Sequence, residues 1–142
     1  SARNRAVTML KDAGALHVAG DQHLGYVAQY AVDEHGDGTY VFCTPAIANT
    51  WPRRWMPRDK ELTGHHIDGF GNKVTVHAVS NPHKYEQEPT ALHDRAPGWG
   101  YIVCDPVSRT VTIEAWPRFA PPNADDSMQY DGWPIVIKEM GH

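Results

Sequence analysis

A chain of 142 residues fits one domain and can bury a core without needing a disulfide or a structural metal to hold it together. Its 13 Lys and Arg stand against 17 Asp and Glu, net charge −4, and the basic residues are scattered apart from Arg53-Arg54 and Arg58 with Lys60, which argues against nucleic acid as a partner. No apolar stretch approaches the roughly 20 residues of a membrane span, and Ser1-Ala2-Arg3-Asn4-Arg5 has no apolar signal core behind it, so no membrane partner is expected.

The first element reads as a helix over 5–13. Ala6, Val7, Met9, Leu10 and Ala13 form one apolar stripe, Asn4 can cap the start, and Gly14 suits the position after the end. Residues 15–19 are too short for a second helix and nearly all apolar. They predict a strand buried on both faces, with His17 as a core histidine. Gly20-Asp21-Gln22-His23 then falls on the loop at the C-terminal end of that strand, where open α/β sheets place their ligands.

From Gly25 the pattern turns to β. Tyr26, Ala28, Tyr30 and Val32 alternate with less apolar neighbours, residues 33–38 are rich in Gly and Asp, and 39–44 are β-branched and aromatic. A hairpin follows, although 24, 27, 28 and 31 would also line a helix; Tyr26 and Tyr30 need do no more than pack the sheet. Residues 45–58, with three prolines, two tryptophans and three arginines, suit an irregular surface loop that returns toward the 20–23 motif.

The second half is β-rich. Residues 73–80 predict a half-buried strand with Val74, Val76 and Ala78 on one face and Thr75, an exposed His77 and Val79 on the other. Residues 81–98 read as a long loop, 100–105 and 110–116 as a second hairpin around a turn at 106–109, and 134–138 as a last strand after Pro121-Pro122-Asn123. Cys43 and Cys104, 61 positions apart, are expected to be two buried free thiols, since spacing alone does not pair them.

Two residues spaced as Asp21 and His23 on a tight loop can aim both side chains at one point, and carboxylate with imidazole is a common pairing for zinc, iron or manganese. The same four residues also read as an Asp capping a loop amide beside an exposed His. Arg53 and Arg54 could offer planar forks to a substrate phosphate, or pack along Trp51 and Trp55. Trp99, Trp116 and Trp133 suit either core packing at strand ends or a stacking platform for a sugar.

Residues 15–24 (Ala-Leu-His-Val-Ala-Gly-Asp-Gln-His-Leu), 38–49 and 51–57, followed by 68–76, Ser80-Asn81-Pro82 and Asp131-Gly132-Trp133-Pro134, resemble the C-terminal part of alkaline-phosphatase-D-like proteins, a branch of the calcineurin-like metallophosphoesterases. In that branch Gly-Asp-x-His replaces the superfamily's last motif, Gly-His-x-His. The resemblance implies His23 as a metal ligand and Asp21 as a second ligand or the group that orients one. It also implies an αββα sandwich carrying two metal ions (zinc, iron, manganese or calcium) with a bridging hydroxide that hydrolyses phosphate esters. The family's earlier motifs, Asp-x-His, Gly-Asp-x-x-Asp and Gly-Asn-His-Asp/Glu, are absent, and Gly64-His65-His66 precedes a Gly-rich turn without the strand context to replace them.

The expectation is therefore α/β: a partial αββα sandwich, with an N-terminal helix and buried strand followed by a mostly β remainder, forming the C-terminal portion of a larger metallophosphoesterase domain. Alone it should bind metal weakly or not at all and be inactive, and an exposed sheet edge should invite a homodimer. The resemblance suggests an exported or periplasmic enzyme. The other reading is a non-catalytic β-rich module that binds carbohydrate through its tryptophans.

Overall fold

The helix α1 runs over Ala2–Asp12, three residues earlier than the apolar stripe suggests, because Ser1 rather than Asn4 caps it: the Ser1 Oγ accepts the Asn4 amide at 3.2 Å. Its end is a Schellman turn. Gly14, at φ +58, donates its amide to Lys11 O at 2.9 Å, and the Ala15 amide reaches Leu10 O at 3.0 Å, which satisfies two carbonyls the helix leaves open. Only Val7 is buried; Arg3 Nη1 donates to Ala31 O at 3.2 Å and so fastens the helix to the sheet beneath.

The computed structural model describes residues 1–48, 51, 53–58, 61–81 and 95–138. Among them it is a mixed α/β structure, mostly β, with one α-helix and two sheets. The strands are β1 (His17–Ala19), β2 (Tyr26–Ala31), β3 (Gly38–Cys43), β4 (Gly64–Ile67), β5 (Lys73–Val79), β6 (Gly98–Asp105), β7 (Thr110–Pro117) and β8 (Ile135–Lys138). Five form a sheet in the order β1-β3-β2-β5-β4, and three form a second in the order β6-β7-β8. All pairings are antiparallel except β1 with β3, where His17, Val18 and Ala19 run parallel to Val41, Phe42 and Cys43. Val27, Phe42 and Ala78 of the larger sheet meet Ile113, Ala115 and Ile137 of the smaller one in a common core, closed by Tyr130 and Trp133. Ala28, Val41, Val74 and Val76 form a smaller cluster with the partly buried Tyr26, Tyr30 and Trp55.

Both predicted hairpins are present, and the last strand starts one residue later than expected. Four expectations are corrected. Residues 15–19 do not make a strand buried on both faces: β1 is three residues long and lies at the sheet edge, with His17 exposed and Val18 at 53 % of its full exposure. Among the described residues it pairs with β3 alone, so an apolar run that resembles a central strand stands at the end of the sheet. Gly64-His65-His66 does stand in a strand, β4, which buries His66 and exposes its neighbours. β5 is more enclosed than a half-buried strand, because β2 and β4 flank it; Thr75 is buried, and His77 is half-buried with its Nε2 2.9 Å from Gln29 Oε1. Cys43 is buried but Cys104 is exposed, and both are free thiols. Of the long loop expected at 81–98, residues 82–94 lie outside the described residues.

Candidate functional site

The Gly20-to-His23 loop leaves β1 at its C-terminal end, as the sequence pattern requires, and turns sharply into β2. Asp21 at φ 66 and His23 at φ 55 both sit in the left-handed region, which costs an L-residue roughly 1 to 2 kcal/mol, less for Asp. Two such residues within three positions curl the backbone tightly. Asp21 is exposed, and among the described residues its carboxylate makes no hydrogen bond, so it is not the loop-amide cap that the spacing also allowed.

His23 is fixed from the far side. Its Nδ1 lies 2.9 Å from Trp51 O, and a carbonyl only accepts, so Nδ1 carries a proton, and in the neutral imidazole the lone pair is on Nε2. The Arg53 amide donates back to His23 O at 3.4 Å. The Pro- and Trp-rich loop thus returns to the motif, as expected from sequence, and holds the imidazole in the tautomer in which a metal is taken by Nε2. Of the two predicted phosphate ligands, Arg53 has its backbone at His23 and its side chain exposed, while Arg54 is half-buried.

Beneath the loop sits Cys43, opposite both Ala19 and Tyr26 in the sheet. Burial, opposed by the Gln22 amide that donates to the sulfur and reinforced by the nearby Asp21 charge, pushes its thiol above the ordinary range. The Thr44 amide donates to Ala19 O at 3.1 Å and locks the strand end that presents the loop. Among the described residues no group of three or more His, Cys, Asp or Glu side chains could hold a metal ion. Asp21 and His23 are two side chains on one loop, fewer than the three protein ligands that a catalytic zinc site uses.

Next to the loop lies a cleft of about 190 Å³ over the face of the larger sheet, lined by Leu24, Tyr26, Tyr30, Trp55, Val74 and Val76 among others. One wall is clamped. The Trp55 amide donates to Asn81 Oδ1 and Asn81 Nδ2 donates to Trp55 O, each at 3.0 Å, while the indole Nε1 donates to Leu62 O at 3.0 Å. The ring also meets His66 edge to face at 5.1 Å between centroids. On the floor the Tyr26 and Tyr30 hydroxyls bond each other at 2.9 Å. Burial first, then the bond to Tyr30, raises the Tyr26 phenol well beyond its usual range, so it stays protonated. Sequence reasoning missed this clamp, since the 26 positions between Trp55 and Asn81 carry no periodic signal.

The tryptophans sort differently. Trp133 is buried in the core, edge to face with Phe42 at 5.8 Å. Trp99 and Trp116 stack on each other across β6 and β7 at 5.4 Å, with Trp116 5 % exposed and its Nε1 bonded to Glu114 Oε2 at 2.7 Å. They pack rather than offer an open three-ring platform.

No family model, curated protein or solved structure matches the chain.

Proposed function

We propose that this chain is the C-terminal portion of an alkaline-phosphatase-D-like metallophosphoesterase, that its two sheets are part of an αββα sandwich, and that the Gly20-to-His23 loop completes a two-metal phosphate-ester hydrolase site. The observation that carries the reading is the pairing of His23 Nδ1 with Trp51 O, which turns Nε2 into a metal donor on a loop curled by two left-handed residues. Asp21 stands beside it as ligand or as the group orienting one, and Arg53 and Arg54 supply cations for the phosphoryl oxygens. When bound, the metals would lower the pKa of a bridging water and polarise the phosphoryl group.

Among the described residues β1 pairs on one side only, which supports the same reading. The strand that bears the motif ends the sheet, and further strands carrying the remaining ligands would pair there; a second copy pairing at that edge would give a homodimer. Alone, the chain binds metal weakly and hydrolyses nothing.

Thermal unfolding in millimolar zinc, manganese or calcium tests the ligand role. A metal at ten times its Kd stabilises by about 1.4 kcal/mol, a rise of a few degrees for a domain of this size, and His23→Ala removes that rise. A melting temperature indifferent to all three metals refutes the assignment. The carbohydrate reading gains nothing from Trp116 and Trp133, both buried.

A further inference from the structure

The cleft beside Trp55 is connected to the proposed phosphoryl site by the chain itself. Leu24, on its lining, directly follows His23, and Trp55 directly follows Arg54. Its volume, about 190 Å³, is slightly more than the roughly 150 Å³ of a cavity known to hold benzene, so it takes one six-membered ring with a short substituent. Three aromatic rings, Tyr26, Tyr30 and Trp55, line it together with aliphatic Leu24, Val74 and Val76, a lining suited to a flat apolar guest. The clamp from Asn81 and Leu62 holds the Trp55 wall in place before any guest arrives, which lowers the ordering cost of binding.

The polar groups select further. Within the hydroxyl pair one proton is spent between Tyr26 and Tyr30, which leaves the second O–H to donate to an oxygen of the guest. The carboxylate at the rim, Asp68, is already occupied: it accepts from the amides of Phe70 and Asn72, each at 2.8 Å, and from Asn72 Nδ2 at 2.8 and 3.1 Å. It is a turn cap rather than a counter-ion, which argues against a cationic guest.

We propose that this cleft binds the aromatic ring of a small aryl or benzyl alcohol and, resting on the phosphatase reading above, that the substrates are phosphate esters of such alcohols. On hydrolysis the oxygen of water bonds to phosphorus as the bond from phosphorus to the alcohol oxygen breaks, a water proton passes to that oxygen, and the aromatic alcohol leaves. The ring is held where Leu24 joins the motif loop, with the ester oxygen toward His23.

Benzyl alcohol is the probe, because it carries no phosphate and needs no metal, so its binding stands or falls apart from the metal test. Titrated into the full chain, it should shift the methyl NMR signals of Leu24, Val74, Val76 and Val79 saturably in the millimolar range. Trp55→Ala, which removes the clamped wall, and Val76→Phe, which fills the cleft from the sheet side, should each weaken it about tenfold or more, as should replacing the probe by cyclohexylmethanol. Either variant that keeps the wild-type circular dichroism suffices. Absence of saturable shifts, equal affinity for cyclohexylmethanol, or unchanged affinity in a folded variant overturns the proposal.

Discussion

Replacing Asp21 by glycine separates a loop held by its carboxylate from a loop that holds its carboxylate out. Asp21 sits at φ 66, its side chain is exposed, and among the described residues it bonds nothing. The left-handed backbone costs an ordinary L-residue roughly 1 to 2 kcal/mol, with Asp toward the low end, and glycine removes that cost. Against this, glycine makes the unfolded chain freer by roughly 0.5 to 1 kcal/mol. The net effect of Asp21→Gly is therefore between zero and about 1 kcal/mol of stabilisation, seen as an unchanged melting temperature or a rise of up to about 4 °C. Urea unfolding with an unchanged m-value is the assay. A loss of more than about 1 kcal/mol would mean that the carboxylate ties down the loop and would remove the argument that it is kept open for a ligand. The same variant should lose part of any stabilisation by metal, so that stability and metal response move in opposite directions.

Gly38→Ala should be strongly destabilising, by about 3 kcal/mol or more, because the added Cβ would lie 1.8 Å from Tyr30 O and the two hairpin strands must part to admit it; a urea midpoint close to wild type would refute that packing. Burial first, and the neighbouring His65 second, hold His77 below the ordinary histidine range. Its folded form takes up a proton less readily than the unfolded chain, so stability is complete above an unfolded pKa of about 6.5 and declines as pH falls through it. His77→Gln should flatten that decline between about pH 7.5 and 5.5; a variant with the same slope would show that His77 is not its source.

How much the sequence discloses depends on how local the signal is. Tyr26, Ala28 and Tyr30 alternate within one strand and the Gly/Asp-rich turn follows at once, so the first hairpin is legible, as is the second around residues 106–109. β4 is not. Its four residues include two histidines and a glycine, and only its place beside β5 makes His66 an inward position. The apolar run at 15–19 misleads for the opposite reason: its composition suits a strand covered on both faces, while His17 and Val18 are exposed. The loop at 20–23 is legible as chemistry because strand and motif adjoin. The tautomer of His23 and the clamp on Trp55 are not, since Trp51 and Asn81 reach them across 28 and 26 positions.

Cys43 gives the loop a built-in clock. Its sulfur lies under the Gln22 amide with burial keeping it protonated, whereas Cys104 is exposed, so a thiol reagent should label the chain in two phases. The fast phase counts molecules; the slow one counts how often the strand end beneath Asp21 and His23 lifts far enough to admit reagent. Any ligand that settles on that loop should lengthen the slow phase and leave the fast one alone, which makes occupancy readable from the rate at which one sulfur reacts.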